Sequence, residues 1–147
     1  MKIGFFFQNN KQGGLDTFIV NLLKNWPHQD KLILYCNQSH PGLSFLQSSL
    51  KHRVEIQIFV FLILQDISII FDKSPKFVTF LLKLTFLIFG HPYQVLKLNN
   101  IIRYHNLDRF FVVNGGYPGG DACLSAAICW NLLGKERKAW LNYHNFV

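Results

Sequence analysis

The stretch Asn114-Gly115-Gly116-Tyr117-Pro118-Gly119-Gly120-Asp121 constrains this chain most. Four glycines and a proline in eight residues rule out a regular element there, because Gly raises the entropy cost of order and Pro removes a donor. Ahead of it runs the β-rich segment Phe110 to Val113. Behind it an apolar helical pattern extends from Ala122 to Leu133. Strand, glycine-rich turn and helix start, in that order, let backbone N–H groups face an anion. The beginning of the chain repeats the order. Ile3 to Phe7 is a continuous apolar run, as expected of a parallel strand buried on both faces. Gln8 to Gly14 is a polar turn ending in Gly13-Gly14. From Leu15 to Trp26 the residues Leu15, Phe18, Ile19, Leu22, Leu23 and Trp26 share one helical face before Pro27 stops the helix.

Between these two units the pattern continues. Leu32 to Cys36 reads as a second strand. Asn37 to Gly42 is a loop whose His40 is expected to be solvated. Leu43 to Leu50 is a short amphipathic helix, and residues 54 to 64 contain a third strand. Residues 65 to 106 are expected to be helical, with Pro92 opening a helix that runs to about Asn106. The fourth strand is Arg109 to Val113. Asp121 is the expected N-cap of the helix after it, and Gly134 its stop. Ala139 to Tyr143 is the last strand, with His144 and Asn145 at its C-terminal edge.

Strands alternating with helices predict an α/β domain over residues 1–147, with a Rossmann-like, doubly wound, mostly parallel sheet and helices on both faces. In the order 3-2-1-4-5, strands one and four are neighbours at the switch point, beyond whose carboxyl ends ligands bind. Gly13-Gly14 and Gly115 to Gly120 would then line one crevice, with His144 at its side. The segment Phe77 to Phe89 is apolar almost all round and too short to span a bilayer. It reads as a buried or partner-covered helix. The alternative is an interfacial helix with Lys73, Lys76 and Lys83 near lipid headgroups.

The formal charge of +7 arises from few acids, eight against fifteen Lys and Arg. Basic clusters are missing, which argues against a nucleic-acid partner and suits a phosphate-bearing ligand or an anionic membrane surface. Three cysteines without a CxxC spacing argue against zinc; small buried apolar residues in a reduced setting are the expectation. The first apolar run is too short for a secretory signal, so a cytoplasmic location, at most on the inner face of the membrane, is expected. There is no GxGxxG, P-loop, GxSxG or HExxH. Tyr35-Cys36-Asn37-Gln38 stands where an acid would hold the ribose of a nicotinamide cofactor. No acid–base pair stands out, and Asp16 and Asp121 read as helix caps. The crevice therefore offers hydrogen-bond donors, suited to a diphosphate or a polyol rather than to a covalent nucleophile. No metal or other cofactor is expected.

The segment from Asn114 to Ala122 with its small-residue helix, the strand ending in His144-Asn145, the opening strand with Gly13-Gly14, and Asn37 with His40-Pro41-Gly42 together resemble the N-terminal domain of family 4 glycosyltransferases. The resemblance runs along nearly the whole chain, strongest at the ends and weakest over residues 56–106. It implies one half of a two-Rossmann-domain (GT-B type) enzyme that retains anomeric configuration without a metal. By that resemblance Gly13 and Gly14 lie near the donor diphosphate, and His144 is the catalytic-site histidine near the transferred sugar. Asn114, Gly115, Gly116, Gly119, Gly120, Asp121 and Asn145 belong to the acceptor side. A nucleotide-sugar and a glycan or lipid-linked acceptor would be the substrates. The donor-binding C-terminal domain has no counterpart before Val147, so the chain is expected to be a truncated half, inactive without that domain. The other reading is a non-catalytic binding or scaffold module that recruits a partner or docks on a membrane surface.

Overall fold

The computed structural model describes residues 1–9, 11–60, 64–114, 120–134 and 139–143. Five strands, β1 (Lys2–Gln8), β2 (Lys31–Asn37), β3 (Glu55–Phe59), β4 (Arg109–Asn114) and β5 (Ala139–Tyr143), form one sheet in the order β3-β2-β1-β4-β5. All four pairings are parallel. The fold is thus the Rossmann-like α/β sheet that the alternation of strands and helices predicts, with β1 at its centre.

The period-two geometry of a strand sorts the sheet residues into two cores. Ile3, Phe5 and Phe7 of β1, with Leu32, Leu34 and Cys36 of β2, face α1 (Gly14–Lys24) and α2 (Leu43–Leu50). From those helices Leu15, Ile19, Leu23, Leu46 and Leu50 complete the layer. Phe6, Ile33, Tyr35, Phe110 and Val112 point to the other face. There they meet Leu98 and Ile102 of α5 (His91–His105) and Ala126, Cys129 and Trp130 of α6 (Asp121–Leu132). Phe110 stacks on Trp130 at 5.1 Å, and Phe5 on Phe111 at 5.1 Å. Gly4 is needed on the α5–α6 face, where a Cβ would collide with Leu107 and Phe110. Cys36, Cys123 and Cys129 are all buried and free, as small apolar core residues.

Two helices, α3 (Leu64–Ile70) and α4 (Lys76–Thr85), precede α5 in the connection from β3 to β4. A π-helical turn, Phe86–Gly90, joins α4 to α5. Its cause is local: Pro92 has no N–H to give to the carbonyl four residues back, and the widened turn absorbs the loss without breaking the helix. Gly90 admits the Phe86 ring, which a Cβ would strike. The expected burial of Phe77–Phe89 is corrected here, because neither α4 nor the π turn contains a buried residue. Apolar spacing predicts a helix with an apolar stripe. It does not decide whether that stripe meets the core, and here the sheet faces are already filled by the other four helices. No helix among the described residues is long and apolar enough to cross a membrane.

Candidate functional site

The strand register brings the ends of β1, β4 and β5 to one rim. Gln8 lies opposite Asn114, and Asn114 opposite Tyr143. Each strand end leads into a segment singled out in the sequence. Gly13 and Gly14 follow β1, Asn114 closes β4, and Gly120 and Asp121 open α6. These five positions share the rim of the switch point between β1 and β4. Gly115, Gly116, Gly119, His144 and Asn145 lie outside the described residues.

At the start of α1 the N-cap is Gly13, in extended backbone. A Cβ there would meet nothing within 4 Å, so packing does not demand this glycine and the space before the helix is open. Asp16 folds back to accept a hydrogen bond from the Gly13 N–H at 2.8 Å, the reciprocal half of a capping box. Its role as a cap is as expected. Its second role is not: the other carboxylate oxygen lies 2.6 Å from His40 Nε2. The pair is enclosed, with side-chain exposures of 1% and 2%. His40 Nδ1 lies 3.2 Å from the carbonyl oxygen of Asn9, and the ring packs edge-on against Phe7.

The expectation of a solvated His40 is thereby overturned. The loop after β2 closes over the start of α1, and burial forces the imidazole to find partners. Both ring nitrogens thus lie within hydrogen-bond reach of an oxygen. A Cβ on Gly42 would overlap the Asp16 carboxylate and sit 2.8 Å from His40 Nε2. Gly42 therefore allows the close approach that seals the pair. Walled off in this way, Asp16 and His40 cannot meet a substrate; they fix the β1–α1 turn from behind.

At α6 the N-cap is Gly120, without a side-chain cap, and Asp121 is the first helical residue. The expected Asp121 cap is one residue displaced. The physical reason is tertiary: the buried Gln8 side chain at the end of β1 accepts the Ala122 N–H at 2.9 Å. An orphan donor of the helix start is met from a neighbouring strand instead of from the preceding residue. Gln8 thus joins the end of β1 to the start of α6 by one side chain.

At the end of β2, Asn37 is buried and its amide donates to Ser39 Oγ at 2.9 Å. This is the strand end where a ribose-binding acid would stand, and it is occupied by an amide engaged in its own loop. A third polar group lies between α5 and α6. Ser125 Oγ donates to Gln94 Oε1 at 2.8 Å and lies 2.9 Å from His91 Nδ1. The hydroxyl is thus held between Gln94 and His91.

Compared with known proteins, the chain matches no protein-family model. No curated protein matches it at a significant level either. The rim must therefore be read from its own chemistry. It offers two helix N-termini, partly satisfied by Asp16 and Gln8, and open space before Gly13. Sequence reasoning missed Gln8, Asp16 and His40 as its braces. A usable signal for the last two was present in Gly42, placed directly after His40 and Pro41.

Proposed function

We propose that the chain is the acceptor-side half of a retaining sugar transferase of the two-Rossmann-domain type. A glycan or lipid-linked acceptor binds at the β1–β4 rim, and a donor-binding domain supplies the nucleotide-sugar and completes the cleft. The observation that carries the reading is the adjacency of β1 and β4, each continuing through glycines in the sequence to a helix start at the same rim. Gly13 and Gly14 would approach the donor diphosphate, where the N-terminus of α1 favours negative charge. His144 would stand near the transferred sugar. Asn37 in place of an acid speaks against a nicotinamide cofactor. Among the described residues the rim presents no nucleophile with an accessible base, which favours one alternative: a binding module that recruits a catalytic partner without transferring sugar itself.

The test pairs the chain with a donor-binding half and follows a radiolabelled nucleotide-sugar. The expected result is no turnover by the chain alone and turnover with both halves. Turnover by the isolated chain, or saturable binding of reduced nicotinamide dinucleotide read by its fluorescence, would overturn the proposal. Acceptor binding without turnover in the pair would select the binding module. Gly13→Asp gives a sharper probe: a Cβ there meets nothing within 4 Å among the described residues, and the added carboxylate would repel a diphosphate. It should weaken nucleotide-sugar binding by the pair roughly tenfold or more while leaving the melting curve unchanged.

A further inference from the structure

We infer that α4 and the π turn form a docking surface for an anionic lipid bilayer, with the helix lying in the interface plane. This does not rest on the sugar-transfer reading. Phe77, Phe80, Leu81, Leu84 and Ile88 recur at the three- and four-residue spacing of a single helical face. That face points away from the sheet. Phe77 is 70% exposed, Phe80 62% and Ile88 56%. Leu87, Phe89 and Leu96 extend the exposed apolar surface along the same rod. A continuous apolar stripe of this kind on a folded domain marks a contact with something else.

Charge decides between occupants. Residues 73 to 107 contain Lys73, Lys76, Lys83, Lys97 and Arg103 and no Asp or Glu. Lys76 and Lys83 are two turns apart and fall on the same flank of the stripe. With Ser74, Thr79 and Phe80 they border a recess of about 420 Å³ that opens beside it. Asp72 also borders this recess, at its α3 end. Two copies of this face brought together would set Lys73, Lys76 and Lys83 of each against those of the other, with Asp72 alone beside them as a counter-charge. An anionic bilayer answers both features at once. Its acyl boundary takes the Phe and Leu side chains, and its phosphates meet ammonium groups that reach up along one flank. Thr79 lies on the side away from the stripe, Lys76 and Lys83 on its flank, and at ten residues α4 is too short to cross a bilayer, which suits a helix lying on a membrane.

The experiment is flotation of the full chain with vesicles of phosphatidylcholine, with and without phosphatidylglycerol. Hydrogen exchange is followed in parallel over residues 76–90. Binding to the mixed vesicles, falling with added salt and protecting 76–90, is expected. Lys76→Gln with Lys83→Gln should lower partitioning into mixed vesicles roughly thirty-fold, at about fivefold per lysine. Phe80→Ser with Leu84→Ser should abolish it. Because these positions lie outside both cores, circular dichroism should stay unchanged. Equal partitioning into both vesicle types, no partitioning, or no protection of 76–90 in the wild-type chain would overturn the inference. So would a lipid-free dimer that Phe80→Ser converts to monomer, since the face would then belong to a second copy.

Discussion

Replacing Asp16 by Ala removes one partner of an enclosed pair and leaves the other behind. His40 would keep its place in the β2–α2 loop with no acceptor for Nε2, and the Gly13 N–H would lose its 2.8 Å partner. Two polar groups, the buried His40 Nε2 and the part-buried Gly13 N–H, are then left unsatisfied at about 1 to 3 kcal/mol each, on the order of 3 to 5 kcal/mol together. Domains have about 5 to 15 kcal/mol in total. The loss should therefore lower the melting temperature by roughly 6 to 20 °C, at about 2 to 4 °C per kcal/mol for a chain of this size. Urea unfolding followed by circular dichroism measures it. The sharper test is the cycle with His40→Ala. If the cost is the orphaned partner, the double variant should lose less than the sum of the singles by about 1 to 3 kcal/mol. Additive losses, or an Asp16→Ala change below about 1 kcal/mol, would show that the pair behaves as a solvated contact. The reasoning about the β1–α1 turn would then fail.

Gln8→Leu should cost about 1 to 3 kcal/mol by stranding the Ala122 N–H, which Gln8 Oε1 accepts at 2.9 Å; an unchanged urea midpoint would remove Gln8 as a brace. Gly42→Ala should destabilise by about 1 to 3 kcal/mol because its Cβ overlaps the Asp16 carboxylate, and Asp16→Ala should relieve part of that cost in the same unfolding assay. Burial pushes the Cys36 thiol up to about 12 and the Cys129 thiol up to about 11. Both should resist a thiol reagent in the native state and react once urea unfolds the chain. The ordinary thiol value is 9.0, so above it the unfolded chain has lost protons that the native one keeps. Stability should then fall as pH rises, by about 1.4 kcal/mol per pH unit for each thiol. A urea midpoint that stays level above pH 9 would contradict this.

Much of the frame was legible because it is written in local periodicity. Leu43–Leu50 and Ala139–Tyr143 have the bounds that their patterns predict. The parallel sheet follows from continuous apolar runs joined by helices, since parallel neighbours need a crossover between them; the order 3-2-1-4-5 is a further condition, and the structure meets it. What local pattern cannot supply is a partner far along the chain. Asp16 and His40 are 24 residues apart, and Gln8 and Ala122 are 114 apart. Each side chain looked ordinary for its own neighbourhood: an acid in the first turn of a helix, a histidine in a polar loop, a glutamine after a strand. Only closure of the loops over the sheet gives them their partners. The direction of α4 was hidden for a related reason. Its spacing is the same whether Phe77 and Phe80 meet a core or solvent, and the outcome depends on helices placed elsewhere in the chain.

Because α4 shares no core with the sheet, its integrity and that of the β-structure are separate thermodynamic quantities. The connection between β3 and β4 packs on the sheet through α5, where Leu98 and Ile102 enter the core. The rod ahead of it can unravel without admitting water to Phe6 or Trp130. Backbone amides of Lys76–Thr85 should then trade with deuterium far sooner than those of Lys2–Gln8, each at its own opening free energy. Comparable rates in the two segments would mean that they melt as one unit.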